Sequence, residues 1–207
     1  MTSIDTITLE VADPAAAGHF YSAAFGLGSE LRLRASPEPA GGFRGFTLSL
    51  LVSQPADVNA LLGTAVDAGA TVLKPPAKSM WGYGGVVQAP DGTIWKAATS
   101  AKKDSGPATR RIDSIALLLG VADVAASKRF YVDRGFRVGK SFGRMYVEFA
   151  DAGRIKLGLY RRRALAKDAG VSPEGTGSHR IAISGAAEPF TDPDGFTWET
   201  ASMAARS

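Results

Sequence analysis

Two residues in matching sequence contexts differ in the property that decides whether a cation can bind beside them. Lys96 follows the tryptophan of PDGTIWKAAT, residues 90–99. Glu199 follows the tryptophan of PDGFTWETAS, residues 193–202. A carboxylate can coordinate a divalent metal or act as a general acid or base, whereas an ammonium group repels a metal ion. The two segments therefore predict different chemistry at matching places.

Other side chains suited to metal or nucleophilic chemistry are few. The sequence has no cysteine and two histidines, His19 and His179. A disulfide framework, a thiolate metal site and a cysteine nucleophile are therefore excluded. His19 falls within a predicted helix, and we interpret it as a packing or surface residue. The sequence also contains no P-loop, HExxH or GxSxG motif.

Aromatic side chains offer a different chemistry, the binding of planar or cationic compounds by stacking. Trp81 and Tyr83 lie in a glycine-rich loop, WGYGG, and loops carry binding residues more often than cores do. Tyr146 and Tyr160 lie on predicted strands, where core packing is the alternative to ligand binding. The loop pair is therefore the stronger candidate for the rim of a cleft.

Charge and hydropathy narrow the choice of partners. The 207 residues carry a formal net charge of +4 at pH 7, a surplus that suits an anionic ligand. A basic run, 161–163 with Lys167, is interpreted as a solvated face, with phosphate or carboxylate binding as the alternative. No apolar run reaches the 18 residues that a membrane span needs, and no signal peptide is visible. We predict a cytoplasmic protein with no nucleic-acid or membrane partner.

Two segments of the first half of the chain recur in similar form in the second half. VADPAAAGHFY, residues 11–21, matches VADVAASKRFY, residues 121–131, and together with the PDGxxW pair this predicts an internal duplication. Period-2 alternation, helix caps and glycine turns predict the elements. In the first half we expect strands at 4–11, 30–35, 46–52, 72–73, 84–89 and 93–99, and helices at 14–25 and 55–68. In the second half we expect strands at 111–123, 136–141, 144–150, 154–160 and 179–184, a last strand that carries Glu199, and a helix at 124–134, with 161–177 a basic loop of about one helical turn.

Each half lacks something that the other has. The helix at 55–68 has no counterpart in the second half, and the strand pair within 144–160 has none in the first. A polar stretch, 101–110, contains Gly and Pro and predicts a linker. The predicted division is a first unit at 1–100, the linker, and a second unit at 111–204.

This combination resembles the vicinal oxygen chelate superfamily, which includes glyoxalase I, bleomycin-resistance proteins and extradiol dioxygenases. The residues that carry the resemblance are the helix opened by an Asp after V-x-D, the F-Y pair late in that helix, and the final DPDGxxWE. The resemblance implies an α+β fold. It consists of two tandem glyoxalase-like units built from paired βαβββ modules, each partly degenerate, whose curled mixed sheets form a cleft.

The resemblance also implies where a divalent metal would bind. Enzymes of this superfamily hold it with His, Gln or Glu on the strands that open and close the modules. The corresponding positions are Thr6, Thr47 and Lys96 in the first half, and Ala116, His179 and Glu199 in the second. The first set does not suit a cation, so we predict no metal cofactor. His179 and Glu199 remain weak candidates for a metal site or for a metal-free acid–base pair.

Three functions stay open at this point. The leading prediction is a metal-independent small-molecule-binding protein of the bleomycin-resistance type, sequestering an aromatic or cationic compound. Its predicted ligand-binding residues are Trp81, Tyr83, Lys96, Tyr146 and Tyr160. The alternatives are a lyase, isomerase or dioxygenase-like enzyme that uses His179 and Glu199, and a non-catalytic interaction module. We expect a monomer with an internal pseudo-dimer, or a homodimer.

Overall fold

The computed structural model describes residues 3–36, 41–150, 153–176, 181–185 and 188–200. The first half contains β1 (Ile4–Val11), α1 (Pro14–Phe25), β2 (Leu31–Ala35), β3 (Gly41–Gly42), β4 (Phe46–Leu51), α2 (Pro55–Asp67), β5 (Thr71–Ser79), β6 (Gly82–Gln88) and β7 (Ile94–Thr99). The second half contains β8 (Ser114–Val121), α3 (Val124–Asp133), β9 (Val138–Phe142), β10 (Tyr146–Phe149), β11 (Ile155–Arg161), α4 (Arg162–Ala169), β12 (Gly175–Thr176), β13 (Ile181–Gly185), β14 (Phe190–Thr191) and β15 (Thr197–Thr200). Within the described ranges, no helix is long and apolar enough to cross a membrane.

The V-x-D sequence acts as a helix start in both halves. The Asp13 carboxylate accepts a hydrogen bond from the Ala16 amide at 3.0 Å. Asp123 accepts from the amides of Ala125 and Ala126 at 2.8 and 3.2 Å. These bonds satisfy amide groups that the first turn of a helix leaves without partners. The predicted starts of α1 and α3 are therefore confirmed.

Two complete βαβββ modules stand in the middle of the chain. In residues 46–99, β4 pairs in parallel with β7, and β6 and β5 follow by antiparallel pairing. In residues 114–161, β8 pairs in parallel with β11, and β10 and β9 follow in the same way. The outer modules are shortened. β1 pairs in parallel with β2 without an intervening strand pair, and only positions 186–189 separate β13 from β14.

Strand pairing crosses between the halves. β4 runs antiparallel to β8, and β1 runs antiparallel to β13. One contact, Ile4 opposite Ile155, joins the two parts into a 13-stranded curled sheet. We call the face formed by β4–β7 and β8–β11 the central cleft, and the face formed by β1, β2, β13 and β15 the terminal cleft. Each cleft takes strands from both halves.

Helices and sheet enclose the main core on the face opposite the clefts. Each half contains a buried tyrosine that links its helix to the PDGxxW strand. The Tyr21 hydroxyl donates to Asp91 at 2.7 Å and accepts from the Trp95 indole at 3.3 Å. The Tyr131 hydroxyl donates to Asp192 at 2.7 Å, and the Trp198 indole donates to it at 3.2 Å. Burial, followed by the nearby carboxylate, raises the pKa of both tyrosines well above 10.0.

The predicted linker is docked against α2. The Asp57 carboxylate is buried and accepts from the amides of Thr109 and Arg110 at 2.6 and 2.7 Å. Burial alone would raise the pKa of Asp57, but these hydrogen bonds outweigh it and lower that pKa. Gln54 holds the same segment, accepting from the amides of Ser105 and Gly106. The segment therefore follows a fixed path between the halves.

Two predicted elements were wrong. Residues 161–177 were expected to form a loop of about one helical turn, but they contain helix α4, whose apolar side chains are buried. The strand expected at 72–73 extends over Thr71–Ser79 and includes a Pro-Pro pair. This is possible because β5 is an edge strand with register shifts, where proline removes no essential ladder hydrogen bond.

Candidate functional site

The strand register brings four side chains to one level of the central cleft. Ser49 on β4 lies opposite Lys96 on β7 and opposite Ala116 on β8. Ala116 in turn lies opposite Lys156 on β11. Directly paired residues share a face of the sheet. This level therefore presents one hydroxyl, one methyl group and two ammonium groups.

This set does not fit a divalent metal. The resemblance places metal ligands on the opening and closing strands, where Lys96 and Ala116 stand, and Thr47 lies two residues along β4 on the same face. None of them offers an imidazole or a carboxylate, and Lys96 adds a positive charge. In the part of the chain that the structure describes, no group of three or more His, Cys, Asp or Glu side chains is arranged to hold a metal.

Helix α4 occupies the middle of the central cleft. It contacts β8, β11 and β4, and its buried residues Leu165, Ala166 and Ala169 form a separate hydrophobic cluster with side chains of the cleft face. Arg162 fixes its first turn by donating to the carbonyls of Phe43 at 2.7 Å and Pro173 at 3.1 Å. The chain's own helix therefore fills space that the fold would otherwise leave open.

A pocket of about 480 Å³ remains between the C-terminal end of α4 and strands β5–β7. Three lysines and one acidic residue supply the charged groups among the described residues that line it. The lining consists of Lys74, Pro75, Ala77, Lys78, Ser79, Trp81, Tyr83, Gly84, Gly85, Val86, Lys96, Ala98, Thr99 and Asp168. The pocket is therefore positively charged and includes three of the predicted ligand-binding residues.

Two of the lysines bind the end of α4. The Lys96 ammonium lies 2.9 Å from the Asp168 carboxylate. The Lys74 ammonium donates to the carbonyls of Lys167 and Asp168 at 2.7 and 2.6 Å. A cation is favourable there because the last carbonyls of a helix carry partial negative charge. Sequence reasoning missed both Lys74 and Asp168, since their partners lie far away along the chain.

Trp81 and Tyr83, the aromatic residues predicted at the rim of the cleft, differ in how firmly their side chains are held. Trp81 lies at the β5–β6 turn and is 78% exposed. Gly82 follows it with φ at 137°, and a Cβ there would lie 2.0 Å from the Thr99 carbonyl oxygen, so the turn requires glycine. The Tyr83 hydroxyl donates to Asn59 of α2 at 2.9 Å, and its ring packs against the main core. Trp81 is therefore the aromatic side chain available to stack on a ligand.

Tyr146 and Tyr160 do not line this pocket. They lie on β10 and β11, across β8 and β4 from the pocket strands, with ring centroids 5.1 Å apart. The Tyr146 hydroxyl donates to Glu148 at 3.0 Å, and burial together with that carboxylate raises the pKa of Tyr146. Tyr160 packs against the cluster beneath α4. Burial, followed by the Asp168 carboxylate, raises the pKa of Tyr160, so Tyr160 lies near the end of α4 that borders the pocket. The predicted role of the two tyrosines in ligand binding stays a prediction.

The terminal cleft places Glu199 beside a cation from the chain itself. Arg34 on β2 donates to both oxygens of Glu199, at 3.1 and 3.3 Å, and to Glu10 at 2.8 Å. Burial lowers the pKa of Arg34, but the bonds to both carboxylates outweigh it and raise that pKa. Nearby, Thr6 donates to the Ser29 carbonyl at 3.2 Å. His179 lies outside the described residues, so the predicted pairing of His179 with Glu199 stays a prediction.

Comparison with known proteins identifies the fold. No family model matches the sequence, and no curated protein matches it. The structure is similar to that of glyoxalase I from Zea mays, with a TM-score of 0.66, 15% identity, and coverage of 97% of this chain and 92% of that chain. It is also similar to a putative dioxygenase from Bacillus subtilis subsp. subtilis str. 168, with a TM-score of 0.61, 11% identity, and coverage of 96% and 84%. The predicted α+β glyoxalase-like fold is confirmed, and at these identities the likeness shows the fold alone.

Proposed function

Starting from the vicinal oxygen chelate fold of this chain, we propose that it is a metal-independent small-molecule-binding protein. Its ligand is a planar aromatic compound that carries an anionic group. The observation that carries this proposal is the pocket beside α4, which is lined by Lys74, Lys78 and Lys96 together with the exposed ring of Trp81. A volume of about 480 Å³ is typical of sites for small organic ligands.

The charge of the lining favours one of the two ligand types that the sequence left open. Three lysines and one acidic residue, Asp168, are the charged residues of the described lining. The field in such a pocket attracts anions and opposes cations. A cationic ligand is therefore disfavoured, and the aromatic part of the prediction is kept.

The donor set supports binding without a metal. Lys96 stands where the resemblance places a carboxylate ligand, and Ser49 and Ala116 beside it supply no metal-binding group. An ammonium group there can instead pair with a ligand oxygen through charge-assisted hydrogen bonds. Lys96 is accordingly the residue on which ligand affinity should depend most.

Three probes with one ring system test this proposal: 1-naphthoate, 1-naphthamide and 1-naphthylmethylammonium, titrated by calorimetry. We expect affinity to fall from the anion to the amide to the cation. Lys96→Gln should reduce naphthoate affinity about fivefold, since an ion pair of this exposure contributes up to about 1 kcal/mol. Lys103→Gln, at an exposed position of the docked segment, is the control with the same charge change. Absence of naphthoate binding, or equal binding of the cation, would refute the proposal.

Exposed apolar side chains favour a second candidate, the interaction module. Met80 and Trp81 are 79% and 78% exposed at the β5–β6 turn, and Phe142 and Met145 are each 61% exposed at the β9–β10 turn. Adjacent exposed apolar side chains can form a patch that binds a partner. Sedimentation velocity of the wild type and of a Phe142→Ser, Met145→Ser variant tests it. Association that the double substitution abolishes would support it, and a protein that stays monomeric at all concentrations would count against it.

The enzyme alternative rests on His179 and Glu199, and Arg34 binds the Glu199 carboxylate. Glyoxalase-type and dioxygenase assays of the wild type and a Glu199→Gln variant test it. Turnover lost in that variant would favour the enzyme over the binding protein.

A further inference from the structure

We infer that Asp168 competes with the ligand of the pocket between α4 and strands β5–β7. Its carboxylate binds the Lys96 ammonium group, to which a ligand carboxylate would also bind. This inference rests on the proposed function and names the regulation of that same site. Asp168 is the one acidic side chain among the described residues of the lining, and its oxygen lies 2.9 Å from the Lys96 nitrogen. A carboxylate on a ligand would bind at the same position beside the Lys96 ammonium group.

The position of Asp168 in its helix is unfavourable by local rules. It lies next to the last residue of α4, where the helix dipole presents negative charge. Helices usually place cations in this turn, as Lys167 illustrates. The carboxylate therefore does not stabilise α4 through the helix dipole, and its ion pair with Lys96 across the pocket offsets this position.

The helix and the carboxylate are held by different contacts. Leu165, Ala166 and Ala169 are buried, and Lys74 binds the C-terminal carbonyls, so the backbone of α4 is fixed. The Asp168 side chain is 47% exposed and is held by Lys96. An ion pair of this exposure contributes little and exchanges readily with water. The side chain can therefore rotate away from Lys96 while α4 stays in place.

Competition has a measurable consequence. A ligand anion must either displace the Asp168 carboxylate from Lys96 or share that ammonium with it and accept the repulsion. Both possibilities weaken binding of anions in the wild type and leave binding of neutral ligands unaffected. Removing the charge of Asp168 should therefore increase affinity for anions selectively.

The test is calorimetric titration of the wild type and of Asp168→Asn with 1-naphthoate and 1-naphthamide. We expect naphthoate affinity to rise about twofold, the size expected for the removal of one largely solvated charge contact. Naphthamide affinity should stay unchanged. Asp133→Asn, at the exposed C-terminal end of α3, is the control with the same charge change in the last turn of another helix.

Lysine labelling gives a second readout that does not need a ligand. Acetic anhydride followed by peptide mapping should modify Lys96 faster in Asp168→Asn than in the wild type, and naphthoate should slow that reaction. Lys103 is the internal reference.

The outcomes separate the two proposals. Naphthoate binding that Asp168→Asn leaves unchanged or weakens would overturn the inference alone, since Asp168 would then position Lys96 or play no part. An equal gain for naphthamide would also overturn it, because the effect would be steric. If neither the wild type nor Asp168→Asn binds naphthoate, both the proposed function and the inference are overturned.

Discussion

The two clefts carry opposite charges at matching motif positions, and each pairs that charge with a group from its own chain. In the central cleft, Lys96 contacts Asp168 of α4 at 2.9 Å. In the terminal cleft, Glu199 contacts Arg34 of β2 at 3.1 Å. The partners come from unrelated places in the sequence. The fold therefore tolerates either sign of charge on the strand after the tryptophan, provided that a counter-charge reaches it.

The clefts differ in how firmly the pair is enclosed. The side chains of Arg34 and Glu199 are 25% and 13% exposed, and Glu10 adds a third charge. Lys96 and Asp168 are 31% and 47% exposed. An enclosed network is costly to break, whereas an open pair is readily exchanged. The pair in the terminal cleft is thus the more enclosed, and the pair in the central cleft is the more easily separated.

Arg34→Ala should have the largest effect on stability. It leaves Glu199 and Glu10 without their cation, and the free energy of unfolding should fall by about 2 kcal/mol, between the values for exposed and buried pairs. Urea denaturation followed by circular dichroism measures this. Arg32→Ala, on the same strand, is the control and should change stability less. Equal losses would show that the network is no more than strand packing.

Lys96→Glu makes the central cleft resemble the terminal one and should act mainly on binding. The introduced carboxylate and that of Asp168 would then face each other, so naphthoate affinity should fall more than tenfold, or about 1.4 kcal/mol. Calorimetry should compare the naphthoate affinities of Lys96→Glu and Lys96→Gln. The Gln variant loses only the attraction of the ammonium group, so any further loss in the Glu variant measures repulsion by the new carboxylate. Retained naphthoate binding would place the anion site elsewhere.

Tyr21→Phe and Tyr131→Phe compare the buried tyrosines of the two halves. Each removes a hydroxyl that bonds a carboxylate and an indole, so each should cost about 1 kcal/mol. Asp192 is more dependent on its tyrosine. Burial raises the pKa of Asp192 and the Tyr131 hydrogen bond opposes this rise, so we expect Tyr131→Phe to cost more than Tyr21→Phe. Urea titrations of the two variants in parallel decide the order.

The same tyrosines predict behaviour at high pH. Their folded-state pKa values lie above the ordinary 10.0, mainly because of burial. The folded protein therefore holds these protons longer than the unfolded chain does. Their contribution to stability is complete below pH 10 and is lost as pH rises further. Unfolding followed by circular dichroism from pH 8 to 11 should show this loss, and the double Phe variant should show a shallower slope.

Asp168→Ala should have the smallest effect. The pair with Lys96 is largely solvated, so the free energy of unfolding should change by less than about 0.5 kcal/mol. The difference between the stability losses of Asp168→Ala and Arg34→Ala tests the comparison between the two clefts most directly. A loss near 2 kcal/mol would mean that Asp168 anchors α4, and the distinction between a structural and an exchangeable pair would disappear.

Local sequence signals predicted much of the fold. The V-x-D segments specified the starts of α1 and α3 because Asp13 and Asp123 act within a few residues. The site was harder to predict, because its contacts are long-range. Glu199 meets Arg34 across 165 positions, and Lys96 meets Asp168 across 72. No local pattern encodes such pairs.

Helix α4 shows a different limit of sequence reasoning. Its arginines were interpreted as a solvated run, yet Arg162 anchors the first turn on the Phe43 carbonyl. The spacing of Leu165, Ala166 and Ala169 before Gly170, which ends the helix in the left-handed conformation, is the signal that could have identified it. A helix of two turns gains stability mainly from tertiary packing. For α4 that packing is against the central cleft, whose strands are distant in the sequence.

The crossed strand pairing means that the repeat visible in the sequence is not the unit that folds. A fragment ending near residue 100 would contain β1 and β4 but neither of their antiparallel partners, leaving two strand edges unpaired. The halves should consequently unfold in one cooperative transition and should fail to fold when expressed separately. Co-expressed, the two fragments should assemble into a noncovalent heterodimer with both faces complete, which makes this chain a candidate for split-protein complementation.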